Sequence, residues 1–315
     1  MRLVIFGAES LEAEKLIEGL SELEYSFAKV VGVVDDAEAD IALYKGRPIR
    51  VEEFEDIDPQ QFDIGVFLAG SAPAKVAEFF DAGKHLIDAS GYLAEMDDIP
   101  LYGSGETMSA GTGTMQIAVA DAVSAQVSSL LQSVEGIRRV DVAVQQPASV
   151  LGRAGVETLA AETARLLNGM PLEASSFNAQ IAFNCQADSA QAEQIESTLQ
   201  RLLADKACEV YCSVAVVPVF HGHLLNLALE FDEPPVMSSL LAQLQSDERV
   251  EVFSAGESEL TPVGQSGQDT IAISAPILHR RKPNRVQLAL CADNLRKGVA
   301  FNIIEALNSL IKNNN

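Results

Sequence analysis

The sequence lacks the long apolar runs that identify membrane-spanning proteins. No uninterrupted apolar segment approaches the roughly 18–20 residues that a transmembrane helix requires. The first residues, MRLVIFGAES, lead directly into a strand-like apolar run, without the basic region, long apolar core and small-residue cleavage site of a secretory signal. We therefore expect a protein of the cytoplasm that does not associate with membranes.

Positive charge is also scarce. The chain has 22 lysines and arginines against 45 aspartates and glutamates, which gives a formal net charge of −23. Binding to nucleic acid or to an anionic membrane surface depends on lysine and arginine side chains that neutralise phosphates. The sequence therefore predicts a soluble protein that has no nucleic-acid partner.

Cysteines are few and are not arranged in metal-binding pairs. The four cysteines are Cys185, Cys208, Cys212 and Cys291, and Cys208 with Cys212 forms a single C-x3-C in a strand-like segment. Paired C-x-x-C motifs are typical of metal sites, and disulfides are rare in the cytosol. We expect neither a metal site nor a disulfide.

The first 111 residues alternate between strand-like and helical patterns. Strands are predicted at RLVIFG (2–7), AKVVGVVDD (28–36), DIGVFLAG (63–70) and HLIDAS (85–90), with helices at LEAEKLIEGL (11–20) and AKVAEFFDAG (74–83). Such alternation is typical of a parallel, doubly wound sheet. This region is predicted to be α/β, with a Rossmann-like parallel sheet.

The pattern changes after residue 111. Helices are predicted at 114–132, 155–169 and 293–311, and strands at 138–146, 209–220, 270–278 and 285–292. A chain of 315 residues is long enough for two cores, because single cores usually stop growing at roughly 250–300 residues. We predict that residues 1–111 with 294–315 form a Rossmann-like, NAD(P)-binding-type domain. Residues 112–293 would form an α+β dimerisation domain with a mixed or antiparallel sheet.

The first strand–turn–helix unit lacks the glycines of a dinucleotide loop. Such loops need glycines so that backbone N–H groups approach a pyrophosphate at the helix N-terminus. In GAESLEA (7–13) only Gly7 remains, while Glu9 and Glu12 add negative charge. Asp35 and Asp36 end the second strand and could bind a ribose hydroxyl, although aspartates at strand ends are commonly turn residues. We expect no cofactor, with NAD(P) as the alternative.

Four stretches of the chain carry a family pattern, in matching order and at matching intervals. They are SVLGRAGVETLAAETARLLNG (149–169), AFNC (182–185), VVPVFHGH (216–223) and ADNLRKGVAFNIIEAL (292–307). These stretches resemble aspartate-semialdehyde dehydrogenase, whose C-terminal part combines dimerisation and substrate binding. The resemblance implies a cysteine nucleophile, a histidine acid/base, an NADP cofactor and arginines that bind the carboxylate and phosphate of the substrates.

The family nucleophile is missing. The N-P-N-C-S-T-like run of the family falls on Ser109 to Thr114, which places Thr112 at the cysteine. A threonine hydroxyl has a far higher pKa than a thiol and is a poor replacement. We predict instead that Thr112 or Thr114 caps the helix 114–132.

Two family arginines are missing as well. Ala94 occupies the place of the phosphate-binding arginine, and Val216 that of the arginine in the R-V-P-V stretch. The S-G-A-G-like turn has Val150 in place of its first glycine. The family positions that remain are Gln146, Ser149, Gly152, Gly222 and His223. The stretch DSAQAEQIE (188–196), where the family has a glutamate that binds the substrate amine, is shortened, and no residue in it is assigned that role.

These losses affect the chemistry of the site, while the segments that pack and dimerise persist. The pattern resembles the Usg-type paralogues of aspartate-semialdehyde dehydrogenase, which have lost the catalytic cysteine. We expect a non-catalytic homodimer that binds a partner protein or a small metabolite in the vestigial pocket. The alternative is an NAD(P)-dependent oxidoreductase acting on a semialdehyde, using His223 and Cys185, although Cys185 is expected in the core.

Overall fold

The computed structural model describes residues 1–34, 41–103, 113–254 and 260–313. In these residues the strands are β1 (Arg2–Phe6), β2 (Lys29–Val33), β3 (Arg50–Glu52), β4 (Ile64–Phe67), β5 (His85–Asp88), β6 (Leu101–Tyr102), β7 (Gln116–Val119), β8 (Ile137–Gln146), β9 (Gln186–Ala187), β10 (Glu209–Val216), β11 (His223–Phe231), β12 (Val250–Phe253), β13 (Ile271–Ser274), β14 (Ile277–Leu278) and β15 (Arg285–Ala292). The helices are α1 (Leu11–Glu22), α2 (Pro73–Asp81), α3 (Ala122–Leu131), α4 (Gly152–Leu167), α5 (Ser189–Leu202), α6 (Met237–Leu244), α7 (Pro262–Gln265) and α8 (Phe301–Asn313).

The chain divides into two compact units. The first unit comprises Met1–Asp121 with Gly298–Asn315, and the second comprises Ala122–Lys297. The boundaries predicted from the sequence lie somewhat earlier in the chain. In both divisions the C-terminal helix is grouped with the N-terminal residues.

A parallel sheet forms the centre of the first unit. Its strand order is β3-β2-β1-β4-β5-β7-β6, and the neighbouring strands run parallel. Strands β1, β2 and β4 are apolar along their lengths because both faces of the sheet are covered. Helix α8 packs on α1, where a Cβ on Gly19 would overlap the Ile304 side chain. The predicted Rossmann-like α/β architecture is confirmed.

The single helix predicted at 114–132 is wrong. Residues Gln116–Val119 form β7, which pairs with β5 and β6, and α3 begins only at Ala122. The segment is apolar at nearly every position of the strand, and all of α3 after Ala122 is buried. A continuous apolar run does not distinguish a buried strand from a buried helix by its period, so strand pairing decided the outcome.

The second unit contains a mixed sheet. The order is β12-β13-β15-β11-β8-β10-β9, with β14 beside β15; β8 is parallel to β10 and antiparallel to β11. Helices α3, α5 and α6 cover one face, where their apolar side chains join the inward residues of the strands in one cluster. We call this covered face the inner face. The opposite, outer face carries the alternate side chains of β8, β10, β11 and β15, which are half-buried or exposed except for the buried Cys291.

The predicted C-terminal helix begins with π-helical turns. Residues Leu295–Ala300 are π-helical and lead into α8. The carboxylate of Asp293 accepts hydrogen bonds from the backbone N–H groups of Leu295 (2.8 Å) and Arg296 (3.0 Å). Asp293 therefore caps this segment.

Among the described residues, no helix is both long enough and apolar enough to cross a bilayer.

Candidate functional site

Gln146, Val216 and His223 lie side by side at one end of the mixed sheet. Val216 pairs with Gln146, and Leu224 pairs with Gln145, which puts His223 next to Gln146. All three side chains are buried on the inner face. Strand register therefore brings together three positions that are far apart in the sequence.

An asparagine joins Ser149 to the turn before His223. The Asn294 side chain accepts a hydrogen bond from the Gly222 backbone N–H at 2.7 Å and donates one to Ser149 Oγ at 3.1 Å. Both Ser149 and Asn294 are buried. Asn294 lies in the D-N-L-R-K-G stretch, but no pattern in that stretch assigns it to the site.

The backbone conformation and the close packing at position 222 both require glycine. Its φ is +89°, and a Cβ there would stand 3.0 Å from the Cα, Cβ and oxygen of Pro262, at the start of α7. The left-handed backbone and the close approach of Pro262 both favour glycine. Asp293 binds the chain just after α7, because its carboxylate accepts a hydrogen bond from the Gly267 backbone N–H at 2.7 Å.

His223 is held as a neutral ring. Its Nδ1 lies 3.4 Å from Gln126 Oε1, and Gln126 Nε2 donates to the Lys297 carbonyl at 2.9 Å. Because the amide nitrogen of Gln126 is engaged there, its oxygen faces the ring, so Nδ1 carries the proton in this contact. Burial lowers the pKa of His223 to about 4, although the nearby carboxylate of Asp293 acts in the opposite direction.

Val216 belongs to an apolar cluster. The cluster contains Ala148, Leu159, Ile181, Ala182 and Val216, with Val150 and Phe177 packed against it. Next to it, Gln146 is buried, and its Oε1 atom has no hydrogen-bond partner among the described residues. Val216 and Val150, which the resemblance places at family site positions, therefore contribute to hydrophobic packing.

A buried glutamate on α4 shapes the AFNC stretch. Glu162 Oε2 accepts hydrogen bonds from the backbone N–H groups of Ile181 (2.8 Å) and Ala182 (2.9 Å). Phe183 follows with a left-handed φ of +58° and is exposed. The expectation that Cys185 lies in the core is wrong: its thiol is exposed, because the turn at Phe183 directs the chain outward.

Carboxylates stand at the N-terminus of α1. Gly7 makes the expected tight turn with a φ of +73°, and Ser10 Oγ accepts the Ala13 backbone N–H at 3.1 Å. Burial raises the pKa of Glu12, and Glu9 Oε2 is buried without a hydrogen-bond partner among the described residues. These residues fit a pyrophosphate poorly, because Ser10 already binds the Ala13 N–H and both added side chains are carboxylates.

The other predicted positions lie apart from this cluster or outside the described residues. Ala94 packs against a core cluster of the first unit. Thr114 does not cap a helix; its hydroxyl donates to the Gly83 carbonyl at 3.3 Å. Thr112, Asp35 and Asp36 lie outside the described residues. In the described part of the chain, no group of three or more His, Cys, Asp or Glu residues could hold a metal ion.

Comparison with known proteins gives one consistent family. A model of the semialdehyde dehydrogenase dimerisation domain matches residues 127–297. The chain is 28% identical to aspartate-semialdehyde dehydrogenase 2 of Vibrio cholerae, over 98% of this chain and 97% of that protein. It is 26% identical to the USG-1 protein homolog of Pseudomonas aeruginosa, over 99% and 98% of the two chains. The structure of a probable aspartate-semialdehyde dehydrogenase from Pseudomonas aeruginosa superposes with a TM-score of 0.90, at 25% identity over 99% of this chain and 98% of that one.

Proposed function

Because the chain belongs to the aspartate-semialdehyde dehydrogenase family, we propose that it is a non-catalytic homologue that acts by binding a protein or a small metabolite. The observations that carry the proposal are geometric: the His223 ring is buried with its Nδ1 3.4 Å from Gln126 Oε1, and Val216 at the same end of the sheet packs in an apolar cluster. A general acid/base works best with a pKa near the operating pH. A buried ring with a pKa of about 4 is neutral at pH 7 and is a poor proton donor.

The loss of anion-binding groups supports the same proposal. An arginine at position 216 would place a guanidinium beside Gln146, where bidentate donors could bind a carboxylate. Val216 instead packs with Ala148 and Ile181. Position 216 therefore supplies no cation for an anionic substrate.

The alternative oxidoreductase needs a thiol close to a base. Activated nucleophiles lie within hydrogen-bond reach of their base, at about 2.6–3.2 Å. Cys185 is exposed and forms no hydrogen bond with a histidine in the described residues, while burial raises the pKa of Cys291 to about 12. Neither thiol supports that alternative.

We expect no saturable binding of NADP or NAD at millimolar concentration. Glu9 and Glu12 place carboxylates where the pyrophosphate would approach, and Ser10 already caps α1. Calorimetric titration of the full chain, beside an active family member, measures the binding. Saturable binding of either nucleotide by the wild-type chain would contradict the proposal.

Two double variants test whether the carboxylates at α1, and not the net charge of the chain, prevent nucleotide binding. Glu9→Gln with Glu12→Gln removes the two charges at nearly constant volume, whereas Glu22→Gln with Glu24→Gln removes two exposed charges farther along the chain. If the carboxylates exclude the nucleotide, only the first double variant gains measurable affinity. An equal gain in both would assign the effect to net charge alone.

We also propose that the chain forms a homodimer through its second unit, as the matched dimerisation domain suggests. The contact would use the outer face of the mixed sheet and helix α4. Uncovered sheet faces of this kind are commonly buried in symmetric pairs.

Sedimentation equilibrium at micromolar concentration is expected to give twice the chain mass of 33.7 kDa. Obligate interfaces commonly bury more than about 2,000 Å² in total, which holds two copies together at this concentration. A monomer under these conditions would rule out the homodimer.

A further inference from the structure

The outer face of the mixed sheet has a row of side chains that crosses five strands. Strand register aligns Ile277, Gln287, Ala228, Asp141 and Tyr211 in that order, on β14, β15, β11, β8 and β10. Adjacent strands lie about 4.8 Å apart, so Ile277 stands roughly 10 Å from Ala228. The row ends in two large side chains, Ile277 and Tyr211, and its middle residue, Ala228, is small.

The next row along the strands has mostly small side chains. Register aligns Ala289, Asn226, Ala143 and Ser213. Together the two rows line an open cavity of about 580 Å³. Small side chains, among them Ala228, Ala143 and Ser213, therefore line much of the depression between the larger side chains of Ile277 and Tyr211.

The two large side chains differ in their contacts. The ring of Tyr211 lies under the guanidinium of Arg139 at 3.9 Å, and Arg139 Nε donates to Asp141 at 2.7 Å. Tyr211 is thus fixed as a wall of the cavity. Ile277 is 65% exposed at the opposite rim, on the two-residue strand β14.

The charge at the cavity is balanced within the chain. Asp141 is the one charged residue among the described residues that line the cavity, and its carboxylate is bound by Arg139 at 2.7 Å and by Arg285 at 2.7 Å. Arg285 also lies 3.1 Å from Glu230. Interface cores are depleted in unpaired charge, so this face is suited to close apposition.

From this juxtaposition we propose that Ile277 of each copy enters the cavity of a second copy and is the anchor of the homodimer. The inference rests on the proposed homodimer and names the residues that hold it together. In a twofold interface both copies use the same surface patch. If residue i of one copy contacts residue j of the other, then residue j of the first copy contacts residue i of the second. In each chain the exposed Ile277 side chain borders the depression. A twofold axis that passes between Ile277 and the depression therefore places the Ile277 side chain of each copy in the depression of the other copy.

The test measures the dimer dissociation constant of the full chain by sedimentation. Ile277→Asp is expected to raise it at least about 30-fold, since a central apolar anchor is replaced by an unpaired carboxylate. Leu278→Asp is the matched control, because Leu278 pairs with Val286 and points to the opposite side of the strand from Ile277. The dimer of this variant should have a dissociation constant near that of the wild type.

A second pair of variants tests the cavity itself. Ala228→Leu fills the depression and is expected to weaken the dimer about tenfold, whereas adding Ile277→Ala to it should recover part of the loss because the two changes couple. Circular dichroism confirms that each variant is folded. A monomeric wild type would rule out the homodimer and this inference together. A dimer whose dissociation constant is unchanged by Ile277→Asp would leave the homodimer standing and overturn the inference, the cavity then being open to a small molecule or another protein.

Discussion

Neither the wild-type protein nor Thr112→Cys is expected to reduce NADP when it is supplied with aspartate semialdehyde and phosphate. Loss of a covalent nucleophile alone lowers turnover by on the order of 10⁴ or more in other enzymes. The threonine hydroxyl at position 112 is much less acidic than a thiol and does not form the covalent adduct with comparable ease. NADPH absorbance, followed beside an active family member, measures the reaction.

Restoring the thiol is not expected to restore the reaction, because the other losses are independent. His223 is neutral in a buried site, Val216 is part of an apolar cluster, and we expect Ala94 to stand where the family has its phosphate-binding arginine. Turnover by the wild type above background would mean that the site uses other residues. Turnover by Thr112→Cys alone would mean that the nucleophile was the one loss that mattered.

Much of the first unit could be predicted from the sequence. The runs at 2–7, 28–36 and 63–70 are apolar because their strands are covered on both faces, and each ends near a turn. Short strands were missed because they lack such a continuous apolar run. β3 has an arginine and a glutamate in three residues, and its position depends on pairing with β2.

The candidate site was predicted in part, and through family resemblance more than through periodicity. Ser149, Gly222 and His223 lie together because Asn294 joins the first two and strand pairing places the third. Gln126 could not have been found in this way. A glutamine in an apolar helix has no sequence signal for burial, and only its bonds to Lys297 and His223 show its place.

Gly155→Ala is expected to destabilise the protein by at least about 2 kcal/mol, although helix propensity alone predicts a gain of about 1 kcal/mol. Gly155 is buried in α4, and a Cβ there would overlap the carbonyl oxygen of Ala148 and stand 3.0 Å from the Leu151 Cβ. A backbone oxygen cannot rotate away as a flexible side chain can. The turn Ala148–Leu151 must therefore shift, and the shift reaches Ser149 and its hydrogen bond to Asn294.

Urea denaturation of the wild type and two variants of α4 separates packing from propensity. Ala160→Gly lies at an exposed position of the same helix and should lose about 1 kcal/mol, which is the propensity difference alone. Gly155→Ala makes the reverse exchange of residue types and should also lose stability, because its added methyl meets backbone and not solvent. A Gly155→Ala variant as stable as the wild type, or more stable, would show that the turn before α4 accommodates a side chain there.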